Sequence, residues 1–226
     1  MLGMSLKNSL LCGKQKPFMV SSIQTEPFSL HELMRYGPLE IKAKRMTEEQ
    51  FLRFVMRHED LRIEQDKNGL IYIMPPVGYD SGINEGHPYG ALYAWWLTFQ
   101  KGRVCSPSTM FRLPDGSKKM ADGAWISEEK HKALRPQERK RIASVVPDFI
   151  IEVRSETDDV EVLFKKMTDT WIANGVRLAW LIDPVERKAW VFKSNGVKEE
   201  VPDFKRQLSG EEICPGLKFN LSIMNL

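Results

Sequence analysis

Residues 146–184, VPDFIIEVRSETDDVEVLFKKMTDTWIANGVRLAWLIDP, decide the fold. The run FIIEV is apolar, of strand length, and interrupted by a single acid, Glu152. A helix is expected over residues 159–174, with Val160, Leu163, Phe164, Met167 and Trp171 setting its core face and Gly175 stopping it. A second apolar strand, VRLAWLIDP, follows. A strand, a helix and another strand in that order form a βαβ unit, whose two strands run parallel. RKAWVFKS then continues as a further strand beyond a turn at Pro184 to Glu186.

Upstream, ADGAWI repeats the pattern of one acid, Asp122, inside an apolar strand. Burying an unpaired carboxylate is costly, so such residues are paired, protonated or bound to a cation. Two of them, with a lysine-bearing helix directly after the second, invite a divalent ion. Mg²⁺ takes oxygen ligands, typically one or two carboxylates with water and a substrate phosphate completing the shell, and Mn²⁺ accepts the same donors. That arrangement suits phosphodiester cleavage. The plainer alternative makes both acids strand residues paired with Arg154, Lys165 or another base.

The rest of the chain supplies a frame. Thr47, Glu48 and Glu49 can cap a helix carrying Phe51, Leu52, Phe54 and Val55 and ending near His58. LRIEQD and LIYIMP flank Lys67-Asn68-Gly69, so residues 61–75 are expected to form a hairpin. Residues 80–100 read as a long helix interrupted or delayed by Gly86, Pro88 and Gly90, headed by Asn84 and Glu85 as caps or substrate contacts, and stopped by Gly102. VCSPS, MFRLP and ADGAWIS read as strands, with PDGSK a turn between the last two. Residues 127–145 are charged and Pro-interrupted, suggesting a short helix and a solvated loop, and the stretch from Leu208 looks like a capping extension. Residues 1–45 lack a sustained period and are expected to be an accessory arm outside the domain of residues 46–226.

Composition excludes little. With 33 Lys+Arg against 30 Asp+Glu the net charge is +3, too small to establish a nucleic-acid footprint. Hydrophobic residues make up 42%, enough for a sizeable core, so one main domain is the default. Cys12, Cys105 and Cys214 form neither a metal clip nor a disulfide framework, which suits a reducing cytoplasm. No run approaches the roughly eighteen apolar residues of a membrane span. His31, His58, His87 and His131 have no ligand spacing, and Trp95, Trp96, Trp171, Trp180 and Trp190 fall in regular elements, where packing is their expected role. The basic residues Lys130, Lys132, Arg135, Arg139, Lys140 and Arg141 fit either a phosphate grip or a solvated face.

RIEQDKNGLIYIMPP, SPSTMFRLPDGSKKMADGAWIS, VPDFIIEVRS, KMTDTWIANGVRLAWLIDP and LSGEEICPGLKFNL, in this order, resemble the Uma-two (Uma2) family of restriction-endonuclease-like proteins, a branch of the PD-(D/E)XK nuclease superfamily. The resemblance covers residues 46–226. It implies an α/β fold with a restriction-endonuclease-like core, a central mixed β-sheet flanked by helices, and a metal-dependent endonuclease acting on nucleic acid, with DNA expected. Asp122 matches the first catalytic, metal-binding acid and Glu152 the second. The superfamily's usual lysine position is Arg154 here, a residue better suited to gripping a phosphate or carboxylate. The family's lysine has migrated to the following helix and matches Lys166, whose compact ammonium can orient a nucleophilic water.

Three departures stand out. Ala121 replaces a proline before the first acid, and Ser155-Glu156-Thr157-Asp158 replaces Ser-Pro-Ser-Asp. The spacing from Lys166 to Gly175 is one residue longer than usual, which leaves Lys165 a competitor that periodicity does not eliminate. Glu64, in the hairpin, either faces the site or pairs across the strands, the latter being favoured; Asp148, in PDF, reads as a turn former. A catalytically inactive nuclease-fold module that binds nucleic acid or protein is the alternative function. Cutting both strands at one locus favours a homodimer.

Overall fold

The structure is a computed structural model that describes residues 6–8, 39–42 and 46–225. Most of the expected N-terminal arm, with Cys12 and His31, lies outside the described residues. The chain divides into two compact units, residues Met1–Pro76 with Asp115–Lys119, and Val77–Pro114 with Met120–Leu226.

In the first unit, strands β1 (Leu6–Asn8), β2 (Leu39–Lys42), β3 (Arg62–Gln65) and β4 (Leu70–Met74) join β7 (Lys118–Met120) in an antiparallel sheet, ordered β1-β2-β4-β3-β7. The β3–β4 hairpin forms where Asn-Gly demands it. Asp66 Oδ1 accepts the N–H groups of Asn68 and Leu70, each at 2.8 Å, and Gly69 takes φ +84°, which a side chain would resist. Helix α1 (Glu48–Arg57) opens with a capping box in which Thr47 accepts from the Gln50 amide and Gln50 returns the bond. Phe51 is its buried residue, in a unit whose core also holds Leu39, Ile41, Ile63, Ile71 and Ile73. One expectation changes here: the hairpin, expected within the central mixed sheet, belongs to this sheet instead. Residues 39–42 form a strand paired with β4, the short strand that residues 31–44 could hold. β7 itself was hidden, because Lys-Lys-Met after a turn lacks the alternation that marks a strand.

The second unit, which also contains β6 (Met110–Arg112), is built on a mixed sheet ordered β12 (Lys198–Val201), β11 (Lys188–Lys193), β10 (Leu178–Asp183), β9 (Phe149–Val153), β8 (Gly123–Ile126), β5 (Arg103–Cys105). β9 and β10 are parallel, as the βαβ reading requires, and the remaining neighbours are antiparallel. Side chains alternate between two cores. Phe149, Ile151 and Trp180 face helix α2 (Tyr79–Phe99) and the hairpin of β13 (Gln207–Ser209) and β14 (Lys218–Asn220). Ile150, Ala179 and Leu181 face the helix that follows β9.

That helix begins as α3 (Val160–Lys165), capped by Asp159 on the Glu161 amide at 2.7 Å, and continues as a π-helix over Lys166–Ile172. Helix α2 runs unbroken through Pro88 from Gly78, which caps it without a side chain, so Asn84 and Glu85 lie inside it rather than heading it. The burial of Pro88, Leu92 and Trp95 offsets the one lost hydrogen bond and the glycine cost. Gln100, at φ 51°, ends the helix. Gly102 has another reason to be glycine: a Cβ there would collide with Ile126 O and the Trp125 indole. Among the described residues no helix is long and apolar enough to cross a membrane.

Candidate active site

Asp122 immediately precedes β8 and is held against β9 by its own polar atoms. Its N–H donates to Ile151 O at 3.0 Å and its Oδ2 accepts the Val153 N–H at 2.8 Å. These two bonds bracket Glu152 and fix the first acid beside the second. Both acids are 4% exposed. Glu152 points to the sheet face covered by the π-helix, where Trp171 Nε1 donates to Oε1 at 2.7 Å. Lys166 Nζ lies 2.9 Å from Oε1 and donates to Oε2 at 3.1 Å, and it also reaches Met120 O at 3.5 Å, two residues before Asp122. One ammonium thus spans the second acid and the backbone leading to the first.

Winding separates the two lysines in space. Lys165 is exposed, while Lys166 is partly buried against Glu152. In an α-helix a residue returns to the same side after about four positions, and in an i→i+5 turn after five. The π-helix therefore lets Lys166 and Trp171, five apart, grip one carboxylate together. π-turns inside helices are frequently found at functional sites.

The other candidates are placed elsewhere. Arg154 Nη1 bonds Asp183 Oδ2 at 2.8 Å and its Nε donates to Asp158 O, so its guanidinium ties the end of β9 to the end of β10. Glu64 takes a cross-strand ion pair with Lys119 at 3.0 Å. Asn84 is partly exposed on α2, the helix that packs on the sheet face opposite Glu152. Asp148 accepts the Ser127 N–H and pairs with Lys130, which makes it a structural anchor. Lys132 and Arg135 of the basic cluster are engaged with Glu128 and Glu138. Trp171 is the site residue that the sequence reading missed. Its place on the core stripe predicts burial, and no pattern announces that its N–H meets a carboxylate.

Among the described residues no three His, Cys, Asp or Glu side chains cluster as a metal cage. Two buried carboxylates are nonetheless the donor set that Mg²⁺ accepts while keeping several waters.

Residues 48–223 match the Uma2 family model, described as "Putative restriction endonuclease". The chain belongs to the Uma2 family. Solved structures agree at the level of fold: the chain is similar to "a putative nuclease belonging to DUF820" from Anabaena variabilis ATCC 29413, at TM-score 0.64 and 16% identity, over 80% of this chain and 97% of that one. No curated protein matches the sequence. The Uma2 match and the shared fold support a restriction-endonuclease-like nuclease, and the match spans every element that builds the Asp122–Glu152–Lys166 cluster.

Proposed function

We propose that this chain is a Mg²⁺-dependent endonuclease that hydrolyses phosphodiester bonds in DNA, working in the cytoplasm and served by Mn²⁺ as well. The observation that carries the reading is the convergence of Lys166 on Glu152 beside a backbone-pinned Asp122. Asp122 and Glu152 would hold the ion, and when bound it supplies Lewis-acid stabilisation of the charge that builds on the phosphate. The backbone bonds to Asp122 and the indole of Trp171 keep both carboxylates oriented before substrate arrives, so little reorganisation accompanies binding. Lys166, 17% exposed, is the cation placed to orient the attacking water and to face the phosphate. Attack proceeds in line with the leaving oxygen.

Purified protein with supercoiled plasmid and Mg²⁺ should nick it, and Glu152→Ala should not. If both are equally inert across DNA substrates and divalent ions, the enzyme reading is lost. One observation favours a second reading. Both oxygens of Glu152 already have protein partners, as in a structural ion pair of a binding module. Calorimetric titration separates the two: a binding module takes up neither Mg²⁺ nor Mn²⁺, while the nuclease loses its ion uptake on Glu152→Ala.

A further inference from the structure

Helix α2 is apolar on two sides. Its buried side carries Pro88, Leu92 and Trp95. Turned by half a revolution, Tyr79, Ile83, Gly86, Gly90, Tyr93 and Leu97 form a second stripe, all exposed, with Tyr79 at 85% and Leu97 at 52%. No charged residue interrupts it. Amphipathic surface helices present charge to water on this side, and a helix that is apolar all round is covered. The glycines sharpen the point: a Cβ at Gly86 or Gly90 would meet nothing within 4 Å, so nothing in this chain's packing requires them. Glycine inside a helix is unfavourable relative to alanine, and two of them on one exposed face suit a backbone arriving from outside.

The spacing indicates which backbone. Position 88 is the centre of the stripe: Gly86 and Gly90 lie two residues on either side, Ile83 and Tyr93 five, Tyr79 and Leu97 nine. A two-fold interface is self-complementary, each residue meeting its counterpart's partner. A palindromic stripe, small at the middle and bulky at both ends, is what two antiparallel copies of one helix need. We propose that α2 packs against α2 of a second copy of this chain, antiparallel about an axis at Pro88. Gly86 then meets Gly90, Ile83 meets Tyr93, and Tyr79 meets Leu97. The stripe, with Val77 before its first turn and Ile223 beside Gly86 and Gly90, offers roughly 600 Å² per copy, about 1,200 Å² in all, the lower end of a stable interface. None of the residues of the candidate active site takes part, so the proposal does not depend on the nuclease reading.

Sedimentation of the full chain tests it. The 26.1 kDa chain should sediment at twice its mass in the micromolar range. Tyr79→Glu and Leu97→Lys should each weaken the dimer at least about tenfold. Mixing the two variants should restore it, because only an antiparallel pair brings positions 79 and 97 together. Gly86→Leu should separate the copies while melting no lower than wild type, a combination that a purely internal role for the glycine does not give. A wild type that is monomeric at every concentration, a dimer untouched by these substitutions, or a mixture that stays monomeric overturns the proposal.

Discussion

Lys119–Glu64 and Lys166–Glu152 are nearly the same length, 3.0 and 2.9 Å, and both glutamates are almost completely buried. Their surroundings differ. Lys119 spans two neighbouring strands, and its ammonium also lies over the Tyr72 ring at 4.8 Å, so its charge is engaged twice within one sheet. Lys166 reaches from a helix onto a strand, shares its carboxylate with an indole N–H, and lies beside a second acid pinned by the backbone. A buried pair of opposite charges is thus not evidence of chemistry. What marks the second pair is a further carboxylate and a cation delivered by a separate element.

The largest effect expected from this contrast is on activity. Glu152→Ala should lower plasmid nicking by on the order of 10³-fold. Glu64→Gln should leave nicking per folded molecule within about twofold while costing roughly 3 kcal/mol of stability in urea, because Lys119 stays buried without its partner. Equal loss of nicking in both variants would place Glu64 in the site and dissolve the distinction. Next comes the lysine: Lys166→Ala should slow the reaction about 10²-fold, whereas Lys165→Ala, at an exposed position, should stay near wild type. Reversal of that order would return the role to Lys165.

Trp171→Phe keeps the ring volume and removes the donor to Glu152. A rate loss of about tenfold with about 1 kcal/mol of destabilisation is expected; stability loss without a kinetic effect would reduce the indole to packing. The smallest effect lies on the strut side. Burial first, then Asp66, Glu40 and Glu64, raise the Tyr72 phenol from 10.0 to about 12. The unfolded phenol ionises first, so this contribution to stability is complete below pH 10.0 and disappears as pH rises towards about 12. Glu64→Gln should move the phenol's absorbance titration downward, and an unchanged curve would mean that the pair does not reach Tyr72 electrostatically.

Much of this was legible in advance. A lone acid in FIIEV or ADGAWI has few places to go in a packed sheet, and the βαβ order fixed the parallel neighbours. Asn-Gly fixed the hairpin turn, but not which sheet the hairpin would join, since pairing partners far apart in sequence leave no local trace. That Lys166 rather than Lys165 meets Glu152 was illegible for a specific reason: both flank the same stripe, and a pattern read with α-helical spacing assumes the very winding that changes at Lys166. The partner of Arg154 was equally hidden, because Asp183 lies at the end of the next strand of the sheet.

Insertions and deletions normally accumulate in loops, yet this chain keeps a place for one inside a helix. Thr168 and Asp169 are exposed in the widened turn, between the lysine that faces Glu152 and the tryptophan that anchors it. Removing one residue there would leave the two four apart, the spacing at which an ordinary helix aligns them. The turn acts as a length adjuster, and two sequences differing by one residue at this point can place a lysine and a tryptophan on one carboxylate in the same way. Counted back from Gly175 with a spacing one residue shorter, the lysine's place falls on Met167, where no ammonium is available.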